Sequence, residues 1–418
     1  MNRDKEKLIN WIETHQEEMI QFLQEIVQIP SDNPDGDCVP IAHFIYEKLR
    51  QFGFEQVSFL EVDQEQVKAA GMKSLVNLVS SSVFGDGTGK TIVLNAHGDV
   101  VPPGLGWTFN PYGGELSAGK MYGRGAAVSK SDIAAYTFAL LALKKLKMKE
   151  ELNGQVDLAF TFDEETGGEL GPKWLLDKNY ISPDLAIAAG FTHSIVNAHN
   201  GCLHLEIKIT GKSAHAALPN TGADAIAAGA NILQALYKYR KTLEFKKSET
   251  LGIDYPTLVV GLISGGINTN VVPDSCTIRL DRRLIPEEAV HEVEEEIKKI
   301  VHHAAHSIDG IKAEVNRILY AESFGPVPTD SQLINVLSAN WRSVLKRKEE
   351  PRVNGVPLYA DARHFYAKGI PTVMFGAGPR TLEEANGHRA DENIRITDLI
   401  SAAKITACTL YDFLTLKK

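Results

Sequence analysis

The sequence predicts an α/β protein in which a mostly parallel sheet flanked by helices carries an inserted α+β domain of the ferredoxin-like type. Three observations support this: the length of the chain, the alternation of strand-like and helical segments, and a change in that alternation near residue 200. With 418 residues the chain is long for a single core, so two domains are expected. Its 44% hydrophobic and 23% charged residues are typical of globular proteins.

The first part of the chain alternates between strand-like and helical patterns. Apolar residues between 8 and 27 recur at helical spacing, and Pro30 ends that helix. Strand-like runs lie at 57–62, 75–79, 91–96, 156–161 and 185–189, with helical stretches at 133–146 and 172–176. Strands that alternate with helices indicate a largely parallel sheet covered on both faces.

The pattern changes after residue 200. Strands are predicted at 203–209, 257–263, 276–284 and 311–318, and helices at 223–239 and 287–301. The order strand, helix, strand, strand, helix, strand is that of a ferredoxin-like unit. We therefore predict an inserted domain at 200–318 and a main domain at 1–199 and 319–418, which resumes with elements at 330–344, 371–375 and 396–414.

Charge and composition exclude several classes of partner. A net charge of -9 argues against a nucleic-acid surface, which needs a basic footprint. No apolar run approaches the roughly 20 residues of a membrane helix, and the charged first residues do not resemble a secretory signal. The four cysteines are scattered without paired spacing, so buried reduced thiols in a cytoplasmic protein are expected.

Two polar segments follow predicted strands directly and therefore share one edge of the sheet. In His97-Gly-Asp99 the imidazole can bind a metal while the carboxylate orients it, although such a triplet is also common in surface turns. In Asp163-Glu164-Glu165 the acids repel one another unless a cation or a shifted pKa resolves the conflict. A hydrolase needs one carboxylate as ligand and another as base. The alternative is an acidic helix N-terminus.

These segments belong to a longer series of motifs. The chain resembles the M20 family of metallopeptidases and deacylases over nearly its full length, through segments 95–102, 122–125, 163–168, 211–215, 270–274, 281–283, 359–363, 369–372 and 387–388. The resemblance implies that His97 binds a first metal and is oriented by Asp99. It implies that Glu164 is the general base and later the general acid, and that Glu165 and His388 bind a second metal.

The resemblance also assigns roles to the inserted domain. It implies a homodimer formed through residues 200–318, in which His215 reaches the active site of the partner subunit and stabilises the oxyanion. Asn270 is similar to a lid asparagine that contacts substrate.

Three arginines are candidates for holding a substrate carboxylate: Arg282, Arg283 and Arg363. The alternative for the last two is a structural ion pair, of Arg283 with Asp281 and of Arg363 with Asp361.

The sequence departs from the family pattern at two metal-binding positions. Val128 stands where the family has an aspartate that bridges two metals, and Lys130 keeps the register of this segment. Residues 188–194 contain no acid where the family supplies a carboxylate for the first metal. Asp132 and His193 are candidate replacements, although an acid at the start of a helix is commonly a cap.

Three outcomes are therefore open: a reshaped or single-metal site, one metal between Glu165 and His388, or an empty site in a catalytically silent binder. We expect an amidohydrolase that removes an acyl group from a small N-acylated compound. Zinc is the expected ion, and cobalt and manganese are alternatives. The competing interpretations are a ligand-binding homologue and an altered reaction, such as deformylation or hydrolytic deamination.

Overall fold

The computed structural model describes residues 2–34, 36–148 and 150–415. Up to residue 199 the elements are α1 (Arg3–Thr14), α2 (Gln16–Val27), α3 (Val39–Phe52), β1 (Gln56–Glu61), α4 (Gln64–Ala69), β2 (Val76–Phe84), β3 (Lys90–His97), β4 (Glu115–Ser117), β5 (Lys120–Tyr122), α5 (Lys130–Lys145), β6 (Gly154–Thr161), α6 (Pro172–Asp177), β7 (Leu185–Ala188) and β8 (Ser194–His199).

The remaining elements follow in two groups. The first is β9 (Gly201–Thr210), β10 (Ala214–His215), α7 (Ala225–Leu243), β11 (Thr257–Gly265), β12 (Val271–Val272), β13 (Ser275–Leu284), α8 (Val290–Ala305) and β14 (Lys312–Ala321). The second is α9 (Gln332–Leu345), β15 (Arg352–Val356), α10 (Ala362–Ala367), β16 (Thr372–Met374), β17 (Asn393–Arg395) and α11 (Ile396–Thr415).

The chain forms two compact units. The first unit comprises Met1–Asn197, Val327–Asn354 and Ala360–Lys418, and the second comprises Ala198–Pro326 and Gly355–Tyr359. Within the described residues, no helix combines the length and the apolar character that crossing a bilayer requires.

An eight-stranded sheet of order β1-β2-β6-β3-β7-β16-β8-β15 organises the first unit. Its four central strands, β6, β3, β7 and β16, are parallel, while β1 and β2 on one side and β8 on the other pair antiparallel. The predicted parallel sheet is therefore confirmed for the centre. The six consecutive buried residues that end β3 explain this position, because both of its faces are covered.

Helix α5 lies deep in this unit. Fourteen of its residues, from Lys130 to Leu143, are buried, and beyond its polar first turn the helix is largely apolar on all sides, as expected of a buried helix. It packs against α2, α11 and the strands β3 and β6. Its first turn, which contains Lys130 and Asp132, is consequently fixed beneath the edge where the parallel strands end.

Two helical predictions need correction. The helical spacing from 8 to 27 belongs to two helices, because the chain turns at His15, whose ring nitrogen Nδ1 lies 2.8 Å from the Trp11 carbonyl oxygen. Helix α3 was not predicted, although Pro40 lies in its first turn and Gly53, with φ of 92°, ends it in the left-handed conformation.

The second unit has the predicted ferredoxin-like fold. Its strands pair antiparallel in the order β11-β13-β9-β14, and α7 and α8 pack against them. Side chains of one face of β9, such as Leu203, Leu205 and Ile207, form the core with both helices. The opposite face of β9 therefore carries Cys202, His204 and Glu206.

Candidate active site

His97 is the last residue of β3 and lies at the carboxyl edge of the parallel strands. Its ring nitrogen Nδ1 lies 3.3 Å from Oδ1 of Asp99 and 3.1 Å from the Asp99 carbonyl oxygen. Asp99 is fully buried, and its Oδ2 accepts hydrogen bonds from the Asn33 amide and from the backbone N–H of Glu165. This carboxylate therefore fixes the orientation of the imidazole and is itself held from two sides.

The two glutamates come from the neighbouring strand. His97 pairs in register with Thr161, the last residue of β6, and a short 3-10 turn at Glu164–Thr166 follows. The ligand atoms of His97, Glu164 and Glu165 all lie within 4.8 Å of one another. Parallel pairing of β3 with β6 thus brings together the two polar segments that the sequence placed at this edge.

His388 also reaches this cluster, from near the C-terminus. It lies in a loop with a φ of 61°, and its Nε2 is 3.3 Å from Oε1 of Glu165. Contact with the Glu165 carboxylate raises the pKa of His388 above its usual value. Half of the His388 side chain is exposed, so this corner faces solvent.

Electrostatics show that the cluster is short of positive charge. Burial raises the pKa of Glu164 to about 8, and the charges of Glu165 and Asp99 act in the same direction. Although burial works against the imidazolium, the hydrogen bond to Asp99 and the neighbouring glutamates raise the pKa of His97 well above its usual value. A bound cation would lower both pKa values, because it favours the ionised Glu164 carboxylate and the neutral His97 imidazole.

The donor set fits a divalent metal ion. Oε1 of Glu165 is buried and, among the described residues, accepts no hydrogen bond of normal geometry. Together with His97, Glu164 and His388 it offers imidazole nitrogens and carboxylate oxygens, the donors found in hydrolytic zinc sites. His97, Glu165 and His388 would hold the ion, with the Glu164 carboxylate beside it.

Val128 lies in a loop that is held in place by the carboxylate of Glu392. Oε1 of Glu392 accepts the backbone N–H groups of Ala127 and Val128, and Oε2 pairs with Nη1 of Arg124 at 2.5 Å. Glu392 and Arg124 are both buried. The sequence interpretation did not single out Glu392, because nothing local connects it to a loop more than 260 residues away. The isopropyl group of Val128 offers no donor to an ion.

Asp132 serves as an anchor for a neighbouring strand end. It belongs to the first turn of α5, whose N-cap is Ser129, and its Oδ1 accepts the backbone N–H of Ala377 at 2.6 Å. A Cβ atom at Gly376 would lie 1.7 Å from that oxygen, so only glycine permits this approach. Burial raises the pKa of Asp132 to about 7. Its role as a metal ligand stays a prediction.

The pH dependence of stability tests this anchor. Because the folded-state pKa of Asp132 is raised, the folded protein binds more protons than the unfolded chain between pH 3.8 and about 7. Its contribution to stability is present at low pH and is lost as the pH rises, by up to about 1.4 kcal/mol per pH unit. Asp132→Asn, which keeps an acceptor oxygen, is expected to flatten this decline in the metal-free protein.

The measurement is the urea unfolding midpoint at a series of pH values. Asp330→Asn, at an exposed position of the same unit, is the matched control and should follow the wild-type curve. A variant curve as steep as the wild-type one would contradict the buried, proton-binding state of Asp132. Unchanged metal content in Asp132→Asn is expected of an anchor and not of a ligand.

The second departure from the family pattern is the segment 188–194, which contains Gly190 and His193. Nε2 of His193 lies 3.0 Å from Oδ1 of Asp398, in the first turn of α11. At Gly190 a Cβ atom would lie 2.6 Å from the Phe375 backbone nitrogen. Close packing of β7 and β16 therefore leaves no room for a side chain at Gly190, and metal binding by His193 stays a prediction.

Arg363 and Asp361 lie beside Glu164. The Arg363 guanidinium is buried and donates to the carbonyl oxygens of Ala360, at 3.1 Å, and Gly167. Burial raises the pKa of Asp361 to about 8, and the charge of Glu164 acts in the same direction. Gly167 ends the 3-10 turn that contains Glu164, so the hydrogen bond from Arg363 places this arginine where it can position Glu164. The sequence had suggested Asp361 only as an ion-pair partner of Arg363.

The remaining candidates lie in the second unit. Arg283 forms a bidentate pair with Asp281, with Nε 2.9 Å from Oδ1 and Nη2 3.0 Å from Oδ2, as the structural alternative predicted. Arg282 is buried against Glu288. His215 and Asn270 are exposed. Their substrate and oxyanion roles stay predictions.

Comparison with known proteins agrees with the resemblance. The family model described as peptidase family M20/M25/M40 matches residues 93–412. An uncharacterized metallohydrolase of Methanocaldococcus jannaschii is 26% identical over 93% of this chain and 98% of its own length. A succinyl-diaminopimelate desuccinylase of Wolinella succinogenes is 26% identical over 93% of this chain and 97% of its own. The crystal structure of an M20 family metallo-carboxypeptidase from Sulfolobus solfataricus shares the fold, with a TM-score of 0.76, 22% identity and coverage of 96% and 100%.

Proposed function

We propose that this chain, which belongs to peptidase family M20/M25/M40, removes an acyl group from a small N-acylated amino acid or a related amide. The observation that carries the proposal is Glu164, which stands beside His97 and Glu165 with its pKa raised by burial. The relative named as a desuccinylase supports deacylation over other amide hydrolysis.

We propose a single zinc ion held by His97, Glu165 and His388, with cobalt or manganese as alternatives. Such an ion would polarise the amide carbonyl and lower the pKa of the attacking water. One ion suits the described donors better than two, because Val128 has no donor atom and Gly190 has no side chain.

Glu164 would act as the base and then as the acid. With a raised pKa of about 8 its carboxylate holds a proton readily, and a nearby cation would lower that pKa towards neutrality. A base whose pKa lies near the working pH transfers protons most effectively. Glu164 would take a proton from the attacking water and return it to the departing amine.

The outer strand of the second unit supports a homodimer. β11 lies at an edge of its sheet and exposes the apolar side chains of Val259, Leu262 and Ile263, and Ile267 follows close by. An exposed apolar edge strand tends to pair with another chain. A second copy would cover this strand, and His215 of the partner subunit would then stabilise the oxyanion.

His215→Ala is expected to lower kcat about 10²–10³-fold without loss of metal, because it removes one oxyanion donor. His303→Ala, an exposed histidine on α8, is the matched control and should leave kcat unchanged. Mixing His215→Ala with Glu164→Gln subunits tests the transfer between subunits. Half of the dimers would be mixed, each with one intact site, so about a quarter of wild-type activity should return. No recovery in dimers shown to have exchanged subunits would exclude a histidine acting across the interface.

The function is tested by a screen of N-acetyl and N-succinyl amino acids and dipeptides with Zn²⁺, Co²⁺ or Mn²⁺. We expect release of the free amine from at least one acylated amino acid, and loss of this activity after chelation. Preferential cleavage of dipeptides would instead assign a peptidase. If the metal-loaded protein hydrolysed no amide in the series, the deacylase proposal would fail.

A further inference from the structure

A second group of metal-binding side chains lies in the second unit. Cys202 and His204 are two residues apart on β9, so both point to the face opposite the helices. Asp281 on β13 stands directly across from His204 in the antiparallel register. Strand geometry thus places a thiol, an imidazole and a carboxylate on one patch of the sheet.

The distances within this group suit a metal ion. Nε2 of His204 lies 3.1 Å from Oδ2 of Asp281, and Sγ of Cys202 lies 4.0 Å from the same oxygen. The potential ligand atoms of all three residues lie within 4.8 Å of one another. Cys202 is fully buried, whereas His204 and Asp281 are about one third exposed, so an ion could enter from solvent.

We propose that Cys202, His204 and Asp281 form a second metal site for a borderline-soft divalent ion of the zinc type. Sulfur and imidazole donors favour zinc over magnesium or calcium, which prefer oxygen ligands. Three protein ligands leave a fourth tetrahedral position for water. None of these residues takes part in the proposed amide hydrolysis.

Without an ion, Arg283 balances the negative charge of Asp281 in this site. It pairs with both oxygens of Asp281, and Oδ2 also contacts His204. Metal binding requires the thiolate and the neutral imidazole, so an ion replaces the protons of these two groups and leaves the Asp281–Arg283 pair able to persist through Oδ1. The ion would tie β9 to β13.

Cobalt spectroscopy of the full-length dimer or monomer, stripped of metal with a chelator, tests this site. Co²⁺ alone is added, and the thiolate-to-cobalt charge-transfer band in the near ultraviolet is measured. We expect the band in the wild type and its loss in Cys202→Ser. Asp281→Asn should weaken cobalt affinity at this site at least about tenfold.

Two controls separate this site from the proposed active site. Cys38→Ser is the matched control, because Cys38 is a buried thiol of the other unit whose pKa is raised by burial and, next, by the charge of nearby Asp99. Cys38→Ser and Glu165→Ala proteins should both keep the band, so failure of the proposed function leaves this result unaffected. Absence of the band from the wild type at saturating Co²⁺, its persistence in Cys202→Ser, or its loss in Cys38→Ser would each overturn the assignment.

Discussion

Glu164→Gln is expected to reduce kcat by about 10²–10⁴-fold while the metal content stays at the wild-type value. Glutamine has nearly the same size and keeps an acceptor oxygen, but it cannot take a proton from water. The carboxylate is half-buried beside His97 and Glu165, and burial raises its pKa. Because Glu165 is assigned to the metal, Glu164 is the acid of this pair that can act as the base.

The matched control is Glu169→Gln, which neutralises an exposed acid of the same loop that pairs with Lys173. It should leave kcat within about twofold of the wild type, since exposed ion pairs contribute little. The measurements are kcat on the best substrate of the screen and metal content by elemental analysis. A Glu164→Gln enzyme with near wild-type kcat would remove Glu164 from the mechanism.

Glu165→Ala is expected to abolish both metal binding and turnover. This substitution removes a buried carboxylate oxygen that lies 3.3 Å from Nε2 of His388. His97 and His388 would then remain as the ligands, and two protein ligands are too few to hold zinc. In addition, one of the charges that raise the pKa of Glu164 would disappear.

Equilibrium dialysis with Zn²⁺ measures the expected loss, and Glu383→Ala, an exposed acid in the loop before His388, is the matched control. Unfolding of both proteins in the presence of chelator shows whether the fold is intact. We expect metal-free Glu165→Ala to remain folded, because the contact that it loses is the one to the half-exposed His388. Full zinc binding by this variant would place the ion elsewhere.

The parallel sheet and the two polar segments at its edge could be predicted from the sequence. The apolar run before His97 and the one before Asp163 each read as a buried strand, and parallel strands end on the same side. Proximity of His388 came from the family resemblance alone, since no local pattern links a loop near the C-terminus to β6.

Contacts between residues distant in sequence account for what was missed. The Glu392 carboxylate reaches Ala127 and Val128, and the Asp132 carboxylate reaches Ala377. Periodicity describes which face of an element is buried, but it does not identify the polar partner that a buried carboxylate finds across the fold. The pairing of His204 with Asp281 escaped for the same reason.

Glu392 couples the loop of Val128 to the segment that carries His388. Glu392 lies four residues after His388, so one buried carboxylate joins the segment that carries this histidine to the backbone at Ala127 and Val128. Separating them would break the buried ion pair of Glu392 with Arg124, at a cost of about 3–5 kcal/mol. The two segments therefore open as one cooperative unit, and amide exchange at Ala127, Val128 and the residues around His388 should share a common opening free energy.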